Sequence, residues 1–179
     1  MHHFALTIVG RDRPGIVAQA TEILFKLGCN IADSSCTILG GQFAMILIIS
    51  HLDYRESADF GDAFAPLQDV DLSVMIRTLK PGGEKHPYFE GELCMISVYG
   101  ADQPGIVYHV ARALAERKIN VTDLNTKLIG TEVRPVYVMM IEAVLPSGLE
   151  LGELESALDN IRQEMQVDIS VRAIETVEL

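Results

Sequence analysis

Basic residues are scarce in this sequence. Its 14 lysines and arginines stand against 25 aspartates and glutamates, which gives a formal net charge of −11 and a pI of about 4.8. A surface of this charge repels the phosphates of nucleic acids, so we expect no direct binding of DNA or RNA. A role in gene regulation through a protein partner stays open.

Cysteine is rare as well. Cys29, Cys36 and Cys94 form an odd set without a CxxC motif, which argues against a disulfide framework and against a zinc site. We expect three buried, reduced thiols, no metal site and no cofactor.

Long apolar runs are absent too. The longest uninterrupted run, Phe43–Ile49, has seven residues, whereas a helix needs about 20 to span a bilayer. The apolar stretch near the N-terminus is too short for the core of a signal peptide, and no basic region precedes it. We therefore expect a cytoplasmic protein without membrane contact, with import into an organelle as the alternative.

What the sequence does contain is an internal repeat. Residues 4–40 align without a gap with residues 94–130, and ten of the 37 pairs are identical. A repeat of this length indicates two copies of one domain. We predict domains at 1–80 and 93–179, joined by a linker at 81–92 that is rich in proline, glycine and charge. The identical pairs are Gly10/Gly100, Asp12/Asp102, Pro14/Pro104, Gly15/Gly105, Ile16/Ile106, Val17/Val107, Leu24/Leu114, Asn30/Asn120, Asp33/Asp123 and Gly40/Gly130.

Each copy has the pattern of a strand, a helix, two strands, a helix and a strand. Apolar strands are predicted at 3–10 and 93–100, and apolar residues with helical spacing follow. We place Pro14 in the first helical turn and Gly28 just past the helix C-terminus, where the second copy has Lys118. The further elements predicted in the first copy are strands Asn30–Leu39 and Gln42–Ser50 around a Gly40-Gly41 turn, a short helix at 60–67 interrupted by Pro66, and strand Leu72–Leu79. In the second copy they are a longer turn before strand Pro135–Leu145, a helix at 151–165 and strand Asp168–Val177.

The order βαββαβ, found twice, predicts an α+β protein with two ferredoxin-like domains. In this fold an antiparallel four-stranded sheet carries two helices on one face. Units of about 80 residues bury only a modest core, and the other sheet face and the edge strands need cover. We therefore predict side-by-side packing of domains and a homodimer.

Several activities that this fold can host lack their residues here. A metal chaperone would need paired cysteines in the first loop, and an RNA-binding module would need aromatic pairs on the central strands. An acylphosphatase-like hydrolase could use Arg11, Arg13 and Asn30, but the second copy has Ala101 and Gln103 at the places of the two arginines. The histidines are terminal, in the linker or isolated. We predict no catalytic residue and keep the hydrolase as the less favoured alternative.

Both copies keep the loop Asp-x-Pro-Gly between the first strand and the first helix. A helix N-terminus has unpaired N–H groups and attracts a carboxylate, and Gly15 or Gly105 leaves room for close approach. The carboxylate of Asp12 or Asp102 could pair with an ammonium group, so the loop suits a free α-amino acid. The alternative is a purely structural turn in which the aspartate caps the helix.

The motif G-x-D-x-P-G-I-V after a strand, followed by an amphipathic helix and by GCNI or KINV, resembles the ACT domain. The resemblance covers both copies and thus nearly the whole chain. It implies a ferredoxin-like regulatory module that binds small ligands, often amino acids, at interfaces between domains.

The first copy carries a closer resemblance. Its segments GRDRPGIV, GCNIADSS, LGGQFAMILIIS and LSVMIRT are similar to the glycine cleavage system transcriptional repressor family. That resemblance implies a tandem ACT pair that holds a DNA-binding activator and responds to glycine. The first copy is also similar to the N-terminal ACT domain of formyltetrahydrofolate deformylase, whose catalytic domain has no counterpart in this sequence, so that activity is not carried over.

The resemblance matches the ligand loop to Gly10–Val17 and Gly100–Val107. We therefore expect a non-enzymatic regulator that binds a glycine-like amino acid and acts through a protein partner, a transcriptional activator; the alternative is a structural ACT pair with empty loops. The first loop is the favoured site, because the second copy departs from the pattern. The predicted ligand-binding residues are Asp12, Arg13, Pro14, Gly15, Ile16, Asn30, Asp33, Asp102, Gln103, Pro104, Gly105, Ile106, Asn120 and Asp123.

Overall fold

The chain forms two compact units, Met1–Glu84 and Lys85–Leu179. The predicted linker, 81–92, lies outside the described residues except for Gly91 and Glu92, which begin a strand. The structure is a computed structural model that describes residues 1–68, 71–80, 91–131 and 134–174.

The first unit is an antiparallel sheet with helices on one face. Its strands lie in the order β2-β3-β1-β4. The described elements are β1 (His2–Arg11), α1 (Ile16–Lys26), β2 (Asn30–Leu39), β3 (Gln42–His51), a 3₁₀ turn (Ser57–Phe60), α2 (Ala65–Gln68) and β4 (Leu72–Leu79).

The second unit repeats this arrangement with the strand order β6-β7-β5-β8. The predicted α+β class and the predicted pair of ferredoxin-like βαββαβ domains are thereby confirmed. No helix in the described parts of the chain is long and apolar enough to cross a membrane. The elements are β5 (Gly91–Gly100), α3 (Ile106–Glu116), β6 (Asn120–Thr131), β7 (Arg134–Pro146), α4 (Leu151–Glu164) and β8 (Val167–Ala173).

The core of each unit follows from the two-residue period of its strands. Side chains alternate between the two faces of a sheet, and in β1 the face toward the helices is fully buried, with Phe4, Leu6 and Ile8 packed in one cluster with α1. In β5 the corresponding residues are Ile96 and Val98. Burial of each large side chain contributes about 1.5–3 kcal/mol, so these strands anchor both units.

Strands β2 and β6 form one edge of each sheet. All ten residues of β2 are exposed, because the helices cover only the strands nearer the centre. The outer face of the first sheet exposes apolar side chains as well, among them Val9, Ile46 and Met75. These uncovered surfaces are consistent with the expected homodimer, which stays a prediction.

The start of α1 differs from the prediction. The helix begins at Ile16, and Pro14 lies before it in the connecting turn. Gly15 is the N-cap residue, with a φ of 94°, and its left-handed conformation ends the turn before the helix can begin. The proline rule therefore placed the helix two residues too early.

Two other predicted details are corrected. Pro66 does not interrupt a helix: the segment forms a 3₁₀ turn and then α2, and Pro66 lies in the first turn of α2, where no N–H is needed. In the second hairpin Thr131 pairs with Arg134, so the strands are longer than in the first copy and the turn is not. The residues between them, 132 and 133, lie outside the described residues, as do residues 175–177 of the predicted last strand.

Gly28 lies just past the C-terminus of α1, as predicted. This residue has a φ of 74°, and the N–H of Cys29 donates to the carbonyl oxygen of Leu24 at 2.9 Å. In the second unit Lys118 takes the same conformation with a φ of 58°, and the N–H of Ile119 makes the matching bond at 3.0 Å. The helix end thus keeps the same hydrogen bond without a glycine, but the Cβ of Lys118 is unfavourable in the left-handed conformation.

We predict that Lys118→Gly raises the free energy of unfolding of the second unit by about 1 kcal/mol, because the substitution removes that Cβ. Urea denaturation followed by circular dichroism measures the change. Lys118→Ala keeps the Cβ and is the matched control with little effect, and Gly28→Ala should lower stability by a similar amount. A Lys118→Gly variant no more stable than Lys118→Ala would contradict the prediction.

The three cysteines are free, but they are not all buried. Cys94 is buried and Cys29 is half-buried, whereas Cys36 is exposed on the edge strand β2. The expectation of three buried thiols is therefore wrong for Cys36. Burial raises the pKa of Cys94 to about 11 and also raises the pKa of Cys29.

We predict that a thiol reagent at pH 8 labels Cys36 first. The thiolate is the reactive form, and a thiol with a pKa near 11 is only about 0.1% ionised at pH 8, so Cys94 should react only after unfolding. Mass spectrometry of peptides after timed labelling with 5,5′-dithiobis(2-nitrobenzoate) gives the order. Rapid labelling of Cys94 in the folded chain would show that its thiol is accessible and would contradict the prediction.

Candidate functional site

The first loop lies at one end of its sheet, between the hairpin turn and the start of β4. The backbone N–H of Asp12 donates to the carbonyl oxygen of Gly41 at 2.9 Å. On the other side Gly10 packs against β4 so closely that a Cβ on it would lie 2.4 Å from the carbonyl oxygen of Asp71. These two contacts fix the position of the loop and of the helix that follows it.

The N-terminus of α1 has no side-chain cap among the described residues. The first intrahelical bond runs from the N–H of Gln19 to the carbonyl oxygen of Gly15 at 2.9 Å, and the N-cap residue makes no side-chain bond to the first turn. The second unit has the same uncapped start at Gly105. The alternative in which Asp12 and Asp102 cap their helices is therefore wrong.

Glycine at position 15 is required by the backbone. Its φ of 94° lies in the left-handed region, where a Cβ is unfavourable. Apart from the two neighbours of Gly15 in the chain, no described residue lies within 4 Å of the position that a Cβ on Gly15 would take. No described side chain therefore fills the space next to Gly15.

Arg13 carries a positive charge beside the first turn of α1. It is half-buried, and its Nη2 donates to Oε1 of Gln19 at 2.8 Å, with a longer contact of 3.5 Å from Nη1 to the carbonyl oxygen of Pro14. Its Nε is buried and has no hydrogen-bond partner in the described part of the chain. The ion pairs found there lie on helix surfaces and do not include Arg13. The guanidinium and the helix N-terminus together favour an anion.

The second loop has the same backbone but different side chains. Gly105 has a φ of 103°, and a Cβ on Gly100 would lie 2.7 Å from Cγ1 of Val167. Gln103, at the place of Arg13, donates from Nε2 to the carbonyl oxygen of Met165 at the end of α4. The space next to Gly105 is thus reached by side chains of this unit.

A tyrosine adds a further difference between the two loops. Tyr137 pairs with Gly100 across the sheet, where the first unit has Phe43 opposite Gly10. Burial raises the pKa of the Tyr137 hydroxyl, and the nearby Asp102 carboxylate raises it further, while a hydrogen bond with Thr126 acts in the opposite direction. The second loop therefore carries a carboxylate and no guanidinium.

The structure does not bring Asn30 or Asp33 to the loop of the same unit. Asn30 pairs with Ser50, which pairs with His3 at the start of β1, whereas the loop follows Arg11 at its other end. Eight residues of strand separate the two positions, about 26 Å at roughly 3.3 Å per residue. Within one unit the two groups of predicted residues thus lie at opposite ends of the sheet.

Asn120 and Asp123 have the same position in the second unit, because Asn120 pairs with Val144 and Val144 with Leu93. Both aspartates follow a β-bulge, which recurs at the same place in the repeat. Asp33 accepts from the N–H of Ser34 at 2.7 Å, and Asp123 accepts from the Asn125 amide at 2.6 Å. Each of the two carboxylates thus has a hydrogen-bond partner close to it in its own strand.

The other predicted residues divide by burial. Ile16 and Ile106 are each 1% exposed and belong to the cores, so only their backbone N–H groups can face a ligand. Pro14 and Pro104 lie exposed in the turns. No group of three or more potential metal ligands comes together in the described ranges.

Sequence reasoning missed three side chains at these loops: Gln19 beside Arg13, and His109 and Met165 beside Gly105. The repeat carried a signal for two of them, since Gln19 and His109 occupy the same aligned position and differ in shape. Met165 carried no such signal, because it belongs to a helix far along the sequence.

Comparison with known proteins shows that one family model matches both units, including their loops. The family model described as the ACT domain matches residues 2–68 and 92–172. The glycine cleavage system transcriptional repressor of Escherichia coli is 23% identical over 97% of this chain and 90% of its own length.

Solved structures show the same fold. An unknown protein from Galdieria sulphuraria has a TM-score of 0.83 at 24% identity, with 97% of this chain and 99% of that chain covered. A crystal structure assigned to a glycine cleavage system transcriptional repressor has a TM-score of 0.70 at 23% identity, with 98% of both chains covered. The predicted family resemblance is thus confirmed.

Proposed function

The chain belongs to the ACT-domain family, and on that premise we propose that it is a non-enzymatic regulatory protein that binds a small amino acid at its first loop. The observation that carries this proposal is the half-buried guanidinium of Arg13. It has no carboxylate partner among the described residues and lies beside an uncapped helix N-terminus.

An α-amino acid matches the charges of this loop. Its carboxylate would accept hydrogen bonds from Arg13 and from the first N–H groups of α1. Its ammonium group would pair with Asp12, which precedes Arg13 in the chain and caps no helix. The open space next to Gly15 leaves room for the small ligand.

Asn30 and Asp33 would enter this site only from a second protomer. Leu39 pairs with Gln42, which pairs with Arg11, so β2 ends beside the loop and begins at the other end of the sheet. Two copies of β2 lying antiparallel would bring the Asn30 of one protomer toward the loop of the other. This geometry supports a homodimer with the ligand at the interface.

We infer glycine as the first ligand to test, because the relative from Escherichia coli is named for the glycine cleavage system. The output of the regulator would pass through a protein partner, a transcriptional activator in the proposed repressor role. The net charge of −11 supports contact with a protein rather than with DNA.

The alternative hydrolase lacks its geometry within one unit. An acylphosphatase-like site would need Arg13 and Asn30 together, and about 26 Å of strand lies between their ends of the sheet. The remaining alternative is a structural ACT pair with empty loops, which differs from the proposal in its response to amino acids.

We predict that Arg13→Gln weakens glycine binding about 10- to 100-fold, because a hydrogen bond to a charged group is lost. Isothermal titration calorimetry with glycine, followed by the other amino acids, measures the change. Arg11→Gln removes the same charge from an exposed strand end and is the matched control. Equal affinity in the two variants would contradict the role of Arg13 in binding, and no amino acid bound at millimolar concentration would favour the structural alternative.

For the hydrolase we predict no activity above background. Benzoyl phosphate incubated with the chain should decay at the rate of the buffer alone, and Arg13→Ala should leave that rate unchanged. A protein-dependent rate that Arg13→Ala abolishes would contradict the non-enzymatic function.

A further inference from the structure

The two loops share one backbone conformation, but only the second is filled by side chains of its own unit. We propose that Gln103 and His109 close the second loop, so that the chain holds one amino acid, at the first loop. This inference rests on the proposed function, and it identifies two residues that decide which copy of the repeat binds.

Gln103 ties the second loop to the end of α4. Its amide donates to the carbonyl oxygen of Met165, the C-cap residue of that helix, and so satisfies one of the carbonyl groups that a helix leaves unpaired. At the aligned position Arg13 bonds instead to Gln19 of its own helix. A ligand entering the second loop would therefore meet an occupied amide where the first loop presents a guanidinium.

His109 fills the space above the helix N-terminus. Its ring atoms Cδ2 and Nε2 lie 3.4 and 3.6 Å from the position of a Cβ on Gly105, and Cε of Met165 lies at 3.8 Å. Non-bonded heavy atoms pack at about 3.5–4.0 Å, so the ring and the methionine methyl group are in van der Waals contact with this position and occupy the space beside it. At Gly15 the aligned residue Gln19 stays more than 4 Å away and bonds to Arg13.

The charge of the second loop also opposes a carboxylate. Asp102 lies close enough to Tyr137 to affect its ionisation, and no arginine offsets that negative charge at position 103. A ligand carboxylate would face a like charge there, whereas in the first loop Arg13 lies next to Asp12. Steric and electrostatic effects thus favour the same copy.

An exchange of the two side-chain pairs tests this inference on the full chain. Arg13→Gln with Gln19→His gives the first loop the residues of the second, and Gln103→Arg with His109→Gln does the reverse. Calorimetry with glycine should give one site per chain in the wild type, no site after the first exchange and two sites after the second. Thermal unfolding shows whether each double variant is folded. If a double variant does not fold, the single variants Gln103→Ala and His109→Ala are measured in its place.

Two sites in the wild type would overturn the inference, as would a single site that survives the first exchange. No glycine bound by any variant would contradict the proposed function. A measurement without ligand keeps the inference testable in that case. Gln103→Ala should speed amide hydrogen exchange at Gln166 and Val167 about 2- to 10-fold, as expected for one lost hydrogen bond, and unchanged rates would overturn the closure itself.

Discussion

The turn from the first strand into the first helix is the constraint on which the rest of each unit depends. At its start Gly10 allows β4 to approach to a distance that no side chain would permit, and at its end Gly15 takes a left-handed conformation that a Cβ disfavours. Gly100 and Gly105 meet the same two requirements in the second unit. Because both ends are fixed, the helix N-terminus lies at a set place beside the sheet, and the candidate binding groups of the loop take their positions from that placement.

Much of the fold could be predicted from the sequence because it depends on local periodicity and on the repeat. Alternating apolar residues identified the strands, and the Gly40-Gly41 pair identified the first hairpin. The start of α1 was misplaced because two local rules compete there, and the left-handed turn at Gly15 outweighs the preference for proline in a first helical turn. The exposure of Cys36 follows from its place on an edge strand, which no local pattern encodes.

The candidate site was less accessible to sequence reasoning, since it depends on which ends of the elements meet. Asn30 follows α1 closely in sequence, but α1 carries the chain back along the sheet, about 16 Å for 11 residues. The strand order β2-β3-β1 then leaves Asn30 at the end away from the loop. A single unit can therefore bring together the loop residues alone, and any role for Asn30 in the same site requires a second protomer.

The two copies also separate what the fold needs from what a ligand would need. Several identities between them are explained by backbone conformation or packing, as at Gly10, Gly15 and Ile16, so the repetition of these residues carries no information about binding. The differences at the helix N-terminus are not explained in this way, because both loops keep the same backbone with either set of side chains. Arg13 with Gln19 leaves the first helix start open, whereas the residues aligned with them cover the second. One fold repeated in one chain thus yields two chemically different helix termini, and that asymmetry, more than the shared motif, is what a binding function can use.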